Sequence, residues 1–207
     1  MSSGTETTVA RAPKRARGKQ RVAELLEAAA AVFAEKGYEA ATMTEIAARA
    51  RAPIGSLYQF FPAKEALADM LVQNFVALLA ADLRELEARA AEIDNQTLVE
   101  RLFGLLRSHP HERAAALPLA EARMDERTRR TTFRHMLRKH IAAILRARLP
   151  SLPAETARDM AVVVLQMMKA ASALSDEEGL PGRAAGMRDL QALAVQYLEQ
   201  RARFTGN

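Results

Sequence analysis

The chain has 207 residues and a formal net charge of +5, and 49% of its residues are hydrophobic. This length supports one large domain or two small ones with a sizeable core. The absence of cysteine excludes disulfides and thiolate metal sites and fits a reducing compartment, so we expect a cytoplasmic protein. We expect no membrane contact, because the N-terminus lacks an apolar leader and no unbroken apolar run has transmembrane length. Abundant alanine without the period-2 pattern of strands predicts an all-α fold.

Residues 1–18 form a basic segment that is rich in Ser, Thr, Gly and Pro. It contains too few apolar residues to fold alone, and we predict a disordered arm. This arm and the residues just after it carry one acid, Glu6, against six cations: Arg11, Lys14, Arg15, Arg17, Lys19 and Arg21. Such an arm can lie along nucleic-acid phosphates or reach a minor groove, and the alternative is a solvated tail without a partner.

A first amphipathic helix is predicted over residues 19–36, followed by Gly37 as its C-cap. Its apolar face consists of Val22, Leu25, Leu26, Ala29, Val32 and Phe33. We expect this helix to be scaffold, packing Leu26 and Phe33 against the two short helices that follow.

Residues 42–61 form two short helices joined by a tight turn. Thr42 and Glu45 have the spacing of a capping box, which predicts a helix over residues 43–50. Pro53 suits the start of a second helix, over residues 54–61, because its φ is preset and it has no N–H to lose. The apolar face of that helix is predicted to contain Leu57, Phe60 and Phe61. This arrangement is the helix-turn-helix pattern for a DNA major groove.

Over about residues 20–67 the chain resembles the DNA-binding domain of the TetR family of transcriptional regulators. The residues that carry the resemblance are Thr42, Ile46-Ala47, Gly55-Ser56-Leu57-Tyr58, Phe61, Lys64 and Leu67. Two positions depart from the family pattern, which usually has glycine where this chain has Arg51 and a serine cap where it has Pro53. Because positive φ is uncommon for arginine, we expect either a strained or a reshaped turn at Arg51.

The start of the second short helix is predicted to face base edges. Gly55 allows close approach of the backbone, and Ile54 can contact a thymine methyl. The resemblance implies that Thr42, Tyr58 and Lys64 hold phosphates, although Tyr58 also suits a core position. The predicted DNA-binding set is Thr42, Arg51, Ile54, Gly55, Ser56, Tyr58, Gln59 and Lys64.

From residue 63 onward the sequence predicts a second, helical domain. A helix over residues 63–92 contains no Pro or Gly and would be roughly 45 Å long. Further helices are predicted at 96–108, 112–126 with an interruption at Pro118, 127–149, 154–175 and 184–204. The expected architecture is therefore a three-helix headpiece over residues 19–62 and a larger domain over 63–207, with about nine helices in all.

The larger domain is expected to bind an effector, an inference that depends mainly on the family resemblance. Apolar periodicity alone does not separate a cavity from a filled core, and we expect Pro118 to break its helix and open space. Flexible methionines suit sites for apolar ligands. The predicted lining is Phe75, Leu79, Phe103, Leu106, Pro118, Phe133, Met136 and Met167.

The last two helices carry more apolar residues than a single body of this size readily covers, which predicts a homodimer. In the resembled family the last two helices form a four-helix bundle between subunits, and the alternative is an ordinary hairpin core. The predicted interface is Met160, Val164, Met168, Leu190, Leu193 and Tyr197.

Catalytic and metal-binding patterns are weak in this sequence. It contains none of the common hydrolase, P-loop or dinucleotide motifs, and its four histidines lack convergent spacing. We expect no enzyme activity, no metal and no cofactor. The predicted function is a sequence-specific regulator, a repressor that leaves operator DNA when a small, largely apolar effector binds. The alternatives are a helical small-molecule-binding protein or enzyme without DNA binding, which would have no use for the basic arm, and an architectural DNA binder without an effector.

Overall fold

The computed structural model describes residues 14–123 and 126–204, and within those ranges all the regular secondary structure is α-helical. The prediction of an all-α fold with about nine helices is confirmed. The helices in the described ranges are α1 (Lys14–Ala40), α2 (Met43–Arg49), α3 (Ile54–Phe60), α4 (Lys64–Arg89), α5 (Asn95–Leu105), α6 (Pro110–Arg123), α7 (Glu126–Arg148), α8 (Ala154–Asp176) and α9 (Arg183–Phe204).

The chain divides into two compact units, a headpiece that ends at Leu71 and a body that begins at Val72. Helix α4 is continuous through this boundary, so its first eight residues belong to the headpiece. The predicted boundary after residue 62 stays a prediction, and the two compact units divide after Leu71. Leu67 and Ala68, on the headpiece side of this division, are fully buried.

Helix α1 begins earlier than predicted, and the last part of the predicted arm is helical. Residues 14–18 are mostly Lys, Arg and Ala, which favour helix, and the helix passes through Gly18. Residues 1–13, including Arg11, lie outside the described residues. Gly37 has φ 77° and ψ 164°, which breaks regular helix at the predicted C-cap.

The headpiece core is formed where α1 packs on α2 and α2 on α3. Leu25, Ile46, Leu57 and Leu67 are fully buried in it. Each of the four helices α1 to α4 contributes one of these residues, and each lies on the apolar face that the sequence predicts for its helix.

The core of the body involves α4, α5, α7, α8 and α9. Met160, Val164 and Met168 belong to it, with exposures of 0%, 4% and 0% within the single chain. This corrects the predicted dimer interface, because side chains covered by their own chain cannot line a surface for a second one. The helical period correctly predicts that these three residues share one buried face of α8, but that face packs into the core of the same chain.

Helix α6 continues through Pro118, although an interruption was predicted. Proline removes the hydrogen bond that its N–H would give to the carbonyl of Ala114. Both residues lie on the exposed side of α6, where water can satisfy that carbonyl. The helix therefore tolerates the proline without a break.

Helix α4 is the one described helix that could cross a membrane by length and composition, with a mean hydropathy of 1.5 over its best window. Such a helix is weak evidence for a span, because core helices of globular proteins meet the same test. Gln73, Asn74 and Asp82 lie in or beside its apolar stretch, and lipid would leave these polar groups unsatisfied. The sequence-based expectation concerned unbroken apolar runs, and Gln73, Asn74 and Asp82 interrupt the run in this helix.

Candidate DNA-binding face and effector cleft

Helix α2 starts with the predicted capping box. The backbone N–H of Glu45 donates to Thr42 Oγ1 over 3.3 Å, and the Thr42 N–H donates to Glu45 Oε2 over 3.1 Å. Two N–H groups that no helical carbonyl could reach are thereby satisfied. Thr42 itself remains exposed, so its position allows contact with an external surface.

Two ion pairs join α1 to α2. Lys36 pairs with Glu45, and Arg49 pairs with Glu35 over 2.6 Å. The hydrogen bond from Lys36, followed by those from Thr42, lowers the pKa of Glu45 below its ordinary value. The cations of α2 and the end of α1 therefore serve the headpiece itself.

The turn between α2 and α3 contains Arg51 at φ 50°, in the left-handed region. A side chain in this region carries a conformational cost, so of the two expectations, a strained or a reshaped turn, the structure shows the strained one. The N–H groups of Arg51 and Ala52 donate to the carbonyls of Ala48 and Ala47 at 3.0 and 2.9 Å. Arg51 is exposed, and its guanidinium has no ion-pair partner among the described residues.

Helix α3 presents several apolar side chains to solvent. Ile54, Tyr58 and Phe60 are 41%, 51% and 40% exposed, whereas Leu57 and Phe61 are buried. This corrects two predictions, since Tyr58 is not a core residue and Phe60 does not lie on the buried face. Leu57 and Phe61 are four residues apart and fill the inward position, which leaves Phe60 at the edge. Phe60 is a candidate contact residue that the sequence pattern missed.

The first turn of α3 has no side-chain cap. Pro53 is its N-cap, one residue before the helix, and its carbonyl accepts from the N–H groups of Ser56 and Leu57 at 2.9 and 3.3 Å. Gly55 is exposed, and a Cβ added there would meet no atom within 4 Å. Packing within the chain therefore does not require glycine at position 55. Gln59 is exposed and Ser56 is half-buried.

Lys64 has an internal role that the sequence did not suggest. Its Nζ donates to the carbonyls of Tyr38, Glu39 and Ala41 at 2.8, 2.9 and 3.2 Å. It also lies 4.7 Å from the centre of the Tyr38 ring. An ammonium group has three N–H donors, and all three are used here. A phosphate contact from Lys64 stays a prediction, and it would have to compete with these bonds.

In the described part of the basic arm and the residues just after it, some cations are exposed and one is used in an ion pair within the chain. Arg17 and Lys19 are exposed, while Arg21 pairs with Glu24 over 2.9 Å. Lys14 and Arg15 lie in the first turn of α1.

The body contains an open cleft of about 340 Å³, a candidate effector site that is called the effector cleft below. Four of the predicted pocket residues meet in it, Phe75, Leu79, Leu106 and Phe133. The full described lining is Phe75, Leu79, Leu106, Arg113, Leu117, Phe133, Arg134, Leu137, Lys169, Ser172, Ala173 and Asp176.

The other four predicted pocket residues lie elsewhere. Phe103 lines a second cleft, with Arg107, Ser175 and Met187. Pro118 is exposed, and its neighbour Leu117 takes the position on the cleft wall. Met136 and Met167 are half-buried against the body core. Apolar spacing alone could not tell which side of each helix faces an opening.

The charged and polar rim of the effector cleft is the main feature that sequence reasoning missed. Arg113 pairs with Asp176 over 3.1 Å, and Arg134, Lys169 and Ser172 complete the polar lining. These residues come from α6, α7 and α8 and share no local motif. Only the packing of those helices brings them together.

Two histidines pair with carboxylates of α4. His109 Nε2 lies 2.8 Å from Asp82 Oδ2, and His140 Nδ1 lies 3.9 Å from Glu87 Oε2. His109 has φ 55° and accepts from the N–H of Arg113 at the start of α6. Among the described residues no group of three or more potential ligands forms a metal site.

Both units match known protein families. Residues 25–71 match the bacterial regulatory proteins of the tetR family, and residues 95–198 match the tetracyclin repressor-like C-terminal domain. The chain belongs to the TetR family. Its two matched regions coincide with the headpiece and most of the body.

Curated relatives resemble this TetR-family chain over shorter stretches. The HTH-type transcriptional repressor KstR2 of Mycobacterium tuberculosis is 43% identical over 82 residues, which is 40% of this chain and 38% of the relative. The A-factor receptor protein of Streptomyces griseus is 42% identical over 61 residues, or 30% of this chain and 22% of the receptor. The alignments thus cover well under half of each relative's length.

The TetR-like transcriptional regulator from Rhodococcus sp. RHA1 resembles the chain in fold. Its structure covers 93% of this chain and 96% of its own, with a TM-score of 0.54 and 23% sequence identity. At this identity the likeness concerns the fold alone.

Proposed function

We propose that this TetR-family chain is a homodimeric transcriptional repressor that binds operator DNA through α2 and α3 and is released by a small molecule in the effector cleft. It would act without catalysis and in the cytoplasm. The observation that carries the proposal is the exposed face of α3, on which Ile54, Tyr58 and Gln59 lie open beside Arg51. The Mycobacterium tuberculosis relative is itself named a helix-turn-helix repressor.

The exposed face combines two kinds of DNA contact. Arg51 is a cation in position to approach a phosphate, which would add affinity without sequence information. Ile54 and Gln59 can reach a thymine methyl and an adenine edge, respectively, and would supply preference. The open space beside Gly55 leaves room for a close approach by a base pair.

Selection of binding sites from random DNA tests this assignment. We expect Gln59→Ala and Ile54→Ala to relax preference at one or two base pairs, at roughly 1–3 kcal/mol each. Arg51→Gly should instead weaken binding to all sequences and lower the slope of log affinity against log salt by about 0.9. Gln73→Ala, an equal truncation at an exposed position of α4, is the matched control. A Gln59→Ala protein that selects the parental site would contradict the docking of α3.

The dimer interface is proposed on the outer faces of α8 and α9. Val162 and Val163 are 41% and 39% exposed, and Leu193 is 56% exposed, which is unusual for large apolar side chains. Leu190 and Tyr197 are half-buried beside them on α9 and remain in the proposed interface. These residues replace Met160, Val164 and Met168.

Sedimentation velocity tests the interface. We expect Val163→Glu with Leu193→Glu to give monomers that remain helical and lose operator affinity, since two half-sites need two linked headpieces. Asp159→Lys with Arg188→Glu changes exposed charges on the same two helices and serves as a control. A double mutant that sediments as the parent would exclude this face.

Helix α4 is proposed to couple the two activities. It begins in the headpiece, and Phe75 and Leu79 on the same helix line the effector cleft. A ligand that prefers the DNA-incompetent state by a few kcal/mol would suffice, and operator DNA would weaken ligand binding by the same factor. Two glycines at Val72 and Gln73 should preserve ligand binding and dimerisation while DNA release fades. Full release in that variant would exclude coupling through α4.

A further inference from the structure

The effector cleft has an apolar floor that is only partly covered. Phe75, Leu79 and Leu137 form buried parts of it, whereas Leu117 on the wall is 37% exposed. Covering such a wall removes apolar surface from water and favours a ligand with an apolar body. At about 30 Å³ for a water-sized group, the volume of 340 Å³ has space for roughly eleven such groups.

The rim of the cleft is positively charged. Three cations, Arg113, Arg134 and Lys169, face one carboxylate, Asp176. Asp176 is already paired with Arg113 over 3.1 Å. In the part of the chain that the structure describes, the guanidinium of Arg134 makes no ion pair or hydrogen bond, and only its carbonyl is used, by Arg138. Arg134 is half-buried, so screening by water is reduced.

A hydroxyl lies in the same lining. Ser172 is 8% exposed, and its hydroxyl makes no hydrogen bond to another described residue. A serine hydroxyl has one O–H donor and two acceptor lone pairs. Its hydroxyl can donate to an oxygen of a ligand that also reaches Arg134.

We propose that the effector cleft selects an amphipathic anion: a linear apolar body of about ten carbons with one carboxylate or phosphate head. The body covers Leu117 and the floor, and the head pairs with Arg134 and accepts from Ser172. This inference rests on the proposed function only in treating the bound molecule as the effector. It replaces the expectation of a largely apolar effector with a charged one.

Calorimetry on the full chain tests the head group. Four probes share a ten-carbon body and are used below their micelle concentrations: decanoate, decyl phosphate, 1-decanol and decyltrimethylammonium. We expect at least one anion to bind about tenfold or more tightly than the alcohol and the cation, because hydrogen bonds to charged groups are the stronger ones. Added salt should weaken binding of the anion and leave the affinity for the alcohol unchanged. Equal affinities for the four probes, or no binding of either anion, would overturn the inference.

Variants locate the head group. Arg134→Gln should weaken anion binding about tenfold or more and leave the alcohol unaffected. Ser172→Ala should weaken it a few-fold. Lys139→Gln removes the same charge from an exposed position of α7 outside the lining and should bind like the parent, which also controls for folding. An Arg134→Gln protein with parental anion affinity would also overturn the inference.

The same probes separate this inference from the proposed function. Anion binding at Arg134 that leaves a selected operator complex intact would contradict the effector role but support the site. Tight operator binding, together with probes that bind equally whatever their charge, would support the proposed DNA-binding function but contradict the anion site. Release of the operator by the anion in the parent and in Lys139→Gln, but not in Arg134→Gln, supports both.

Discussion

The headpiece and the body use charged side chains in different ways. In the headpiece, Lys36 and Arg49 join α1 to α2 through ion pairs, and Lys64 joins α4 to the end of α1 through three carbonyls. In the body, one large apolar cluster draws on five helices, and charged groups gather at the rim of a cleft.

Size explains the contrast. A small unit buries a lower fraction of its surface and has little apolar stabilisation to spare, so polar links between helices matter more. The larger body can keep an opening and cations such as Arg134 without losing its core. We therefore expect equal perturbations to have different consequences in the two units, in the following order of size.

Truncating one core leucine in each unit should give the largest effect. Leu57→Ala and Leu98→Ala both empty a fully buried position, and each should cost about 2–5 kcal/mol. We expect Leu57→Ala to unfold the headpiece and abolish DNA binding, while the body with Leu98→Ala remains folded at moderate temperature. Hydrogen exchange resolved by peptide measures each unit separately. Equal loss of protection from hydrogen exchange in the two variants would contradict the expected difference between the headpiece and the body.

Removing the Lys64 ammonium should follow in size. Lys64→Met keeps the apolar stem but leaves three carbonyls without their donor, at a cost of about 1–3 kcal/mol to the headpiece. Urea unfolding should detect this loss, and Lys19→Met, at an exposed cation of α1, should not show it. Parental stability with uniformly weaker DNA binding would instead indicate that Lys64 contacts phosphate.

Helix caps allow a matched comparison at lower energy. Thr42 caps α2 in the headpiece, and Asp94 caps α5 in the body through the Thr97 N–H at 2.7 Å. Thr42→Ala should cost about 0.5–2 kcal/mol, and Asp94→Ala should destabilise the body in the same direction. We expect only Thr42→Ala to weaken DNA binding, measured by titration with a selected operator, and Thr44→Ala to have little effect. An Asp94→Ala chain with equally weakened binding would show that the units share their stability.

Lowering the pH should have the smallest effect on the stability of the two units. The folded headpiece lowers the pKa of Glu45 below its ordinary value, mainly through Lys36, so ionised Glu45 adds stability at neutral pH. This stability is lost as the pH falls through the lowered pKa. Glu45→Gln keeps the capping box and removes the charge, so its stability should differ from the parent at pH 7 and converge with it in acid. A constant difference across this range would contradict the assignment. The Asp94 pKa is lowered by Thr97, so Asp94→Asn should behave likewise in the body.

Local patterns were enough to predict much of the headpiece. The capping box joins residues three apart, Gly37 and Pro53 mark helix ends directly, and the apolar period gives most of the inward face of each short helix. Arg51 could be marked as unusual from sequence, since positive φ disfavours a side chain. Whether the turn is strained or reshaped depends on its backbone hydrogen bonds, from Arg51 to Ala48 and from Ala52 to Ala47.

The sequence alone determined most of the helices and the helix-turn-helix, because these follow from spacings of three or four residues, and residues 20–67 carried the resemblance to the family. The tertiary structure decided that Met160 faces its own core, that Phe60 is exposed and that Lys64 is engaged internally. It also assembled the effector cleft from residues between Phe75 and Asp176. A helical period states that a face is covered but not by which partner, and distant residues meet only when the helices pack.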